Sequence, residues 1–125
     1  MTGQAHAYLW DIAQATERIA RFTAERSFDD YLADDMLRAA VERQFTIIGE
    51  ATVALRRLDP AMADAIPDVA AIIAFRNILV HGYATVDNRV VWGIVEGDLG
   101  PLRKAVAKLI GTNEKHSPAS PDKSA

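Results

Sequence analysis

Cysteine is absent from all 125 residues, which excludes disulfides, thiolate metal sites and a cysteine nucleophile, and fits a reducing cytoplasm. Long apolar runs are missing as well. The stretch from Val69 to Phe75 amounts to about two helical turns, whereas a bilayer needs about 20 residues. Met1 to Gln14 lacks the basic and then apolar order of a secretory signal. Positive charge is in deficit, with 14 Lys and Arg against 17 Asp and Glu and a net charge of −3. That balance argues against a general nucleic-acid binder held by a basic surface, so any RNA chemistry has to rest on a local basic site. The Glu-x-x-His spacing of di-metal bundles occurs nowhere. The acidic pairs Asp29-Asp30 and Asp34-Asp35 fit helix starts better than metal ligands, so no metal and no cofactor is expected.

What is present has helical rhythm. Half the residues are apolar and a quarter charged, an ordinary balance for one globular domain. Leu9, Ile12, Ala15, Ile19 and Phe22 recur at steps of three and four, opposite Asp11, Glu17, Arg18 and Arg21, which predicts an amphipathic first helix. Ser27 to Asp30 supplies a turn and a cap. From Tyr31 to Leu58 a single long helix of roughly 42 Å is expected, with Leu37, Val41, Phe45, Ile48, Thr52 and Leu55 as its inner stripe. Gly49 sits inside it, where glycine costs up to about 1 kcal/mol relative to alanine, and close packing against a neighbour is the simplest reason. Asp59-Pro60 ends that helix. Pro67-Asp68 opens the next, and Gly82 closes it. Asn88 to Glu96 is rich in β-branched residues, but no second segment is fit to pair with it, so it is read as helix. Asp98 starts a last helix striped by Leu99, Leu102, Val106 and Leu109. The fold class is all-α: an antiparallel bundle of four to five helices over residues 1–110, followed by a polar, disordered tail at 111–125.

One stretch concentrates chemistry: Ala74-Phe75-Arg76-Asn77-Ile78-Leu79-Val80-His81-Gly82-Tyr83. At 100° per residue Asn77 and His81 share a face, while Arg76 and Tyr83 lie two turns apart on another. Arg76 and Asn77 interrupt an otherwise apolar helix, so these polar groups need partners. A histidine that moves protons beside an arginine that can fork onto phosphate would serve metal-free RNA cleavage. The same spacing also arises when a histidine merely caps a helix end, and residues alone leave both readings open.

RNILVHGY, with Arg, four residues, His, one residue and Tyr, resembles the signature of the HEPN superfamily, and within it the HepT toxins paired with MNT (minimal nucleotidyltransferase) antitoxins. Ile48-Gly49-Glu50-Ala51 and the downstream Val86-Asp87, Val91-Trp92-Gly93-Ile94-Val95 and Asp98-Leu99 extend the likeness over roughly residues 5–110. One departure is Asp68-Val69 after Pro67, where many members carry Trp. The resemblance implies a homodimeric, metal-independent ribonuclease with Arg76 and His81 catalytic, contributed by both chains to one cleft. We place Asn77 as a supporting residue. The resemblance further implies that an MNT partner transfers AMP to Tyr83 and so silences the toxin. Composition agrees with a composite site, because His6 and His116 lie near the chain ends and leave one central proton carrier per copy. A non-catalytic HEPN module that binds nucleotide or docks a nucleotidyltransferase is the competing expectation.

Overall fold

The computed structural model describes residues 3–82 and 86–115. Among them every regular element is a helix: α1 Gly3–Thr23, α2 Phe28–Ala33, α3 Asp35–Leu58, α4 Pro60–Asp64, α5 Val69–His81, α6 Asn88–Gly97 and α7 Leu99–Lys115. The all-α expectation holds. Five of these helices have ten residues or more, and α2 and α4 are single short pieces. The ambiguous Asn88 segment is helical, capped by the Asp87 carboxylate accepting from the Arg89 N–H at 2.9 Å.

The expected continuous helix from Tyr31 to Leu58 is corrected, since Asp34 interrupts it in extended backbone (φ −118°, ψ 97°). Local chemistry explains the break. Asp competes with helical backbone through its own side chain, and Asp34 Oδ1 accepts from the Leu37 N–H at 3.0 Å, starting α3 afresh. Upstream, Ser27 and Asp30 form a reciprocal capping box that commits α2 to its own start. The carbonyls exposed by the break are met by Arg38, which donates to Tyr31 O and Leu32 O. The expected tail boundary also shifts, because α7 continues past Gly111 to Lys115. A glycine lowers helix propensity without forbidding it, and proline first recurs at position 118. The rest of the expected tail lies outside the described residues.

The core lies between α1, α3 and α7, with α1 packed on both of the others. Leu9, Ile12, Ile19, Val41, Ile48, Leu55 and Val106 are fully buried. Each sits on the stripe that the spacing defines, so the sequence period and the burial agree. The buried hydroxyls of Thr23 and Thr52 donate back to Ile19 O and Ile48 O, which removes the cost of unpaired polar groups in the core. α6 turns back across α7 and α2, and Trp92 of α6 stacks at a tilt on Tyr31, ring centroids 5.3 Å apart.

α5 is held differently. It packs chiefly on α3, fixed by the edge-to-face contact of Phe75 with Phe45 at 5.4 Å. None of its thirteen residues is fully buried. Its first turn follows Asp68, which stands in left-handed backbone (φ 58°, ψ 38°) without a side-chain capping bond. That conformation costs an L-residue about 1 kcal/mol.

Candidate functional site

The candidate residues stand on the outer half of α5, the most loosely covered long helix. Arg76 is half-buried, whereas Asn77 and His81 are exposed. Arg76 Nη1 donates to Asn77 Oδ1 at 2.9 Å on the exposed side. The structure therefore joins Asn77 to Arg76, where helix angles alone had grouped it with His81. Arg76 Nε is buried and has no hydrogen-bond partner among the described residues. The guanidinium is thus sunk at Nε, while its Nη1 bond lies on the exposed side.

The reason lies on α3. Gly49 is buried at the α3–α5 crossing, and a Cβ built on it would fall 2.1 Å from Arg76 Cβ and 2.5 Å from Cγ. No side chain fits there. The close packing expected of Gly49 is real, and the unpredicted detail is that its neighbour is Arg76. Two oddities were legible in the sequence, a glycine inside a long helix and an arginine inside an apolar one. They answer one another: the missing side chain on α3 makes room for the long one on α5.

His81 is the last residue of α5, and Gly82 ends the helix by donating its N–H to Ile78 O at 2.6 Å. Gly82 keeps right-handed backbone (φ −84°), so its role as a stop does not draw on glycine's left-handed freedom. Tyr83 lies outside the described residues. Glu50, next to Gly49 on α3, is exposed.

A feature that sequence reasoning missed lies toward the other end of α5. A groove of about 160 Å³ runs between α3, α5, α6 and the start of α7, with Phe45, Ile72, Phe75, Leu102, Asp68 and Asp98 among its walls. Arg76, Asn77 and His81 are not among its walls. The signal for it was faint, because its lining comes from apolar residues that each look like ordinary core.

Comparison with known proteins settles the family. The model of the family described as Ribonuclease HepT-like matches residues 12–109. The chain belongs to the HepT-like family. Among its relatives is a Thermococcus cleftensis protein named a probable ribonuclease HepT, 38% identical over 106 residues that cover 82% of this chain and 92% of the relative. A Methanocaldococcus jannaschii protein with a provisional RNase name is 31% identical over 102 residues, 80% of this chain and 91% of its own. A third, from Caldanaerobacter subterraneus and also provisionally named an RNase, is 29% identical over 103 residues, 82% and 91% of the two chains. No solved structure matches. The matched span contains α3, α5 and the whole Gly49–Arg76 crossing. Among the described residues no helix is long and apolar enough to cross a membrane.

Proposed function

We propose that this HepT-like chain is a metal-independent endoribonuclease, the toxin half of a toxin–antitoxin pair, and that it works as a homodimer through Arg76 and His81. The observation that carries the reading is the placement of an anchored arginine and an exposed histidine along one helix. In RNA cleavage the ribose 2′-oxygen attacks the adjacent phosphorus and loses its proton to one imidazole. The P–O5′ bond breaks as a second imidazole protonates the leaving oxygen, giving a 2′,3′-cyclic phosphate and a 5′-hydroxyl end. Arg76 meets the charge that grows on the phosphoryl oxygens in the transition state. His81 fills one proton-transfer role in each copy.

Dimerisation supplies the second histidine. α5 is strongly apolar yet lies against α3 alone to any large extent, and Ile78, between Arg76 and His81, is 46% exposed. Covering that face with a second copy about a two-fold axis would bring both His81 side chains toward one cleft. It would also pair two Arg76 residues, a local positive site on a net acidic chain.

Neutralisation follows the family pattern. A nucleotidyltransferase partner would join the Tyr83 phenolic oxygen to the α-phosphorus of ATP, releasing pyrophosphate and the phenol proton. The added phosphate, two residues beyond His81, would compete with substrate phosphate for Arg76.

The test is expression of the chain alone. Wild type is expected to arrest growth and to cleave RNA in EDTA. His81→Ala is expected to lose at least about 10³-fold in kcat while its melting curve stays that of wild type. Equal toxicity of the two at matched soluble levels would sink the RNase reading, and activity restored by a divalent ion after EDTA would sink the metal-free one. Co-expression with a nucleotidyltransferase is expected to add about 329 Da per AMP at Tyr83. Lost toxicity with no mass change would leave inhibition by complex formation instead.

A further inference from the structure

The crossing of α3 and α5 does more than join two helices. Arg76 Cβ and Cγ occupy the volume that any side chain at position 49 would take, at 2.1 and 2.5 Å from its Cβ. Such distances cannot be relieved by turning a flexible tip, because the contact lies at the root of the arginine. Because the backbone fixes Cβ whatever the rotamer, displacing it means shifting α5 against α3. Nε of the same side chain is buried, and the bond from Nη1 to Asn77 Oδ1 holds its tip. A free arginine samples many rotamers, and here both its root and its tip are restrained. With Nε sunk, the side-on fork of Nε and Nη2 is closed to solvent. Nη1, whose bond to Asn77 lies on the exposed side, is the part of the guanidinium that reaches solvent.

We propose that Gly49 is the positioning residue for Arg76: by lacking a side chain it seats the arginine against α3, so that the guanidinium meets an RNA phosphate end-on. This rests on Arg76 being the phosphate-facing cation. Gly49 meets α5 at Arg76 Cβ, Cγ and Cα, so it acts through the seat of that residue. Two anomalies in the sequence then have one cause. The glycine lowers the helical stability of α3, and the arginine interrupts the apolar pattern of α5, because the two together build one fixed cation. A misplacement of about 1 Å at a reacting centre costs about 10²-fold in rate, so one methyl group at position 49 is expected to act on catalysis at that scale.

The experiment compares wild type, Gly49→Ala, Arg76→Gly and the double variant for melting temperature and for kcat and KM on a fluorescent single-stranded RNA. Arg76→Gly is the correct partner, since alanine would keep the offending Cβ. Gly49→Ala is expected to lower the melting temperature, and the double variant to return to that of Arg76→Gly alone. Gly49→Ala is expected to lose about 100-fold in kcat/KM, chiefly in kcat, and to add no loss on the Arg76→Gly background. Added propylguanidinium, the side chain that Arg76→Gly deletes, provides a readout that a merely structural glycine would not move. It is expected to restore cleavage to Arg76→Gly, where the space above Gly49 is open, and about tenfold less to the double variant, where the alanine methyl fills that space. If Gly49→Ala fails to fold, the rescue comparison stands on the other two proteins. Losses that multiply, or equal rescue of both variants, would overturn the positioning role and leave the assignment of Arg76 intact. Wild-type cleavage by Arg76→Gly would overturn that assignment, and the positioning role with it.

Discussion

The first and fifth helices invert the usual relation between composition and burial. α1 alternates apolar and charged faces, and seven of its residues are buried, among them Ala5, Leu9, Ile12 and Ile19. α5 is the more apolar helix, with Ile72, Ile73, Phe75, Ile78, Leu79 and Val80, yet it buries none completely. The difference is in neighbours. α1 lies between α3 and α7, whereas α5 rests mainly on α3. A narrow stripe is enough when both flanks are covered, while an all-round apolar helix with one partner leaves a face uncovered. The candidate residues Arg76, Asn77 and His81 stand on the helix whose packing one chain leaves incomplete.

The strongest way to break this contrast is to remove a buried side chain from α1. Leu9→Ala is expected to destabilise the chain by about 3 kcal/mol, read by denaturant melts, because Leu9 is fully buried and its surroundings are held on two sides. A loss below about 1 kcal/mol would mean that the α1 core is looser than its burial indicates.

The matching change on α5 sharpens the comparison. Ile78→Glu is expected to leave the stability of the isolated chain nearly unchanged, since Ile78 is already half open to solvent, but to weaken self-association by about 2 kcal/mol, roughly 30-fold in Kd. Light scattering and concentration-dependent melting measure it. A variant that dimerises like wild type would move the interface off α5.

The smallest effect is expected at the edge of the well-packed region. Tyr31 is fully buried, and its hydroxyl has no hydrogen-bond partner among the described residues. Burial first, and the nearby Glu42 carboxylate second, push its phenol up to about 12, with Arg38 opposing. Tyr31→Phe is therefore expected to stabilise the chain by about 1 kcal/mol at neutral pH, by removing an unsatisfied polar group. The sign with pH follows from linkage. The folded phenol ionises later than the unfolded one, so its contribution is complete below pH 10 and declines as pH rises toward 12. Melts across that range are expected to show a shallower alkaline fall for the Phe variant. The same alkaline slope in both proteins would show that Tyr31 is not its source.

Much of the fold was legible because helical periodicity is a local signal. The stripe of α3 from Leu37 to Leu55 and the stop at Asp59-Pro60 need no knowledge of distant residues. The break at Asp34 was missed because it is made by the side chain of Asp34 and by Arg38 reaching back to the carbonyls of α2, contacts that apolar spacing does not register. The site divides in the same way. Arg76, Asn77 and His81 were visible as polar residues in an apolar helix, yet helix angles put Asn77 with His81, and the rotamer of Arg76 chose otherwise.

The sequence by itself determined that this chain is all-helical, where most of its helices begin and end, and which helix holds the candidate chemistry. Those properties follow from side-chain period, capping and turn residues, whose energies act within a few residues of the chain. Only the tertiary structure decided that Gly49 and Arg76 share one volume, that the arginine is buried along Nε, and that α5 remains covered on one side. Each depends on two helices meeting at a particular crossing. A sequence pattern states which face of a helix is apolar, but the identity of the residue facing it is settled by packing.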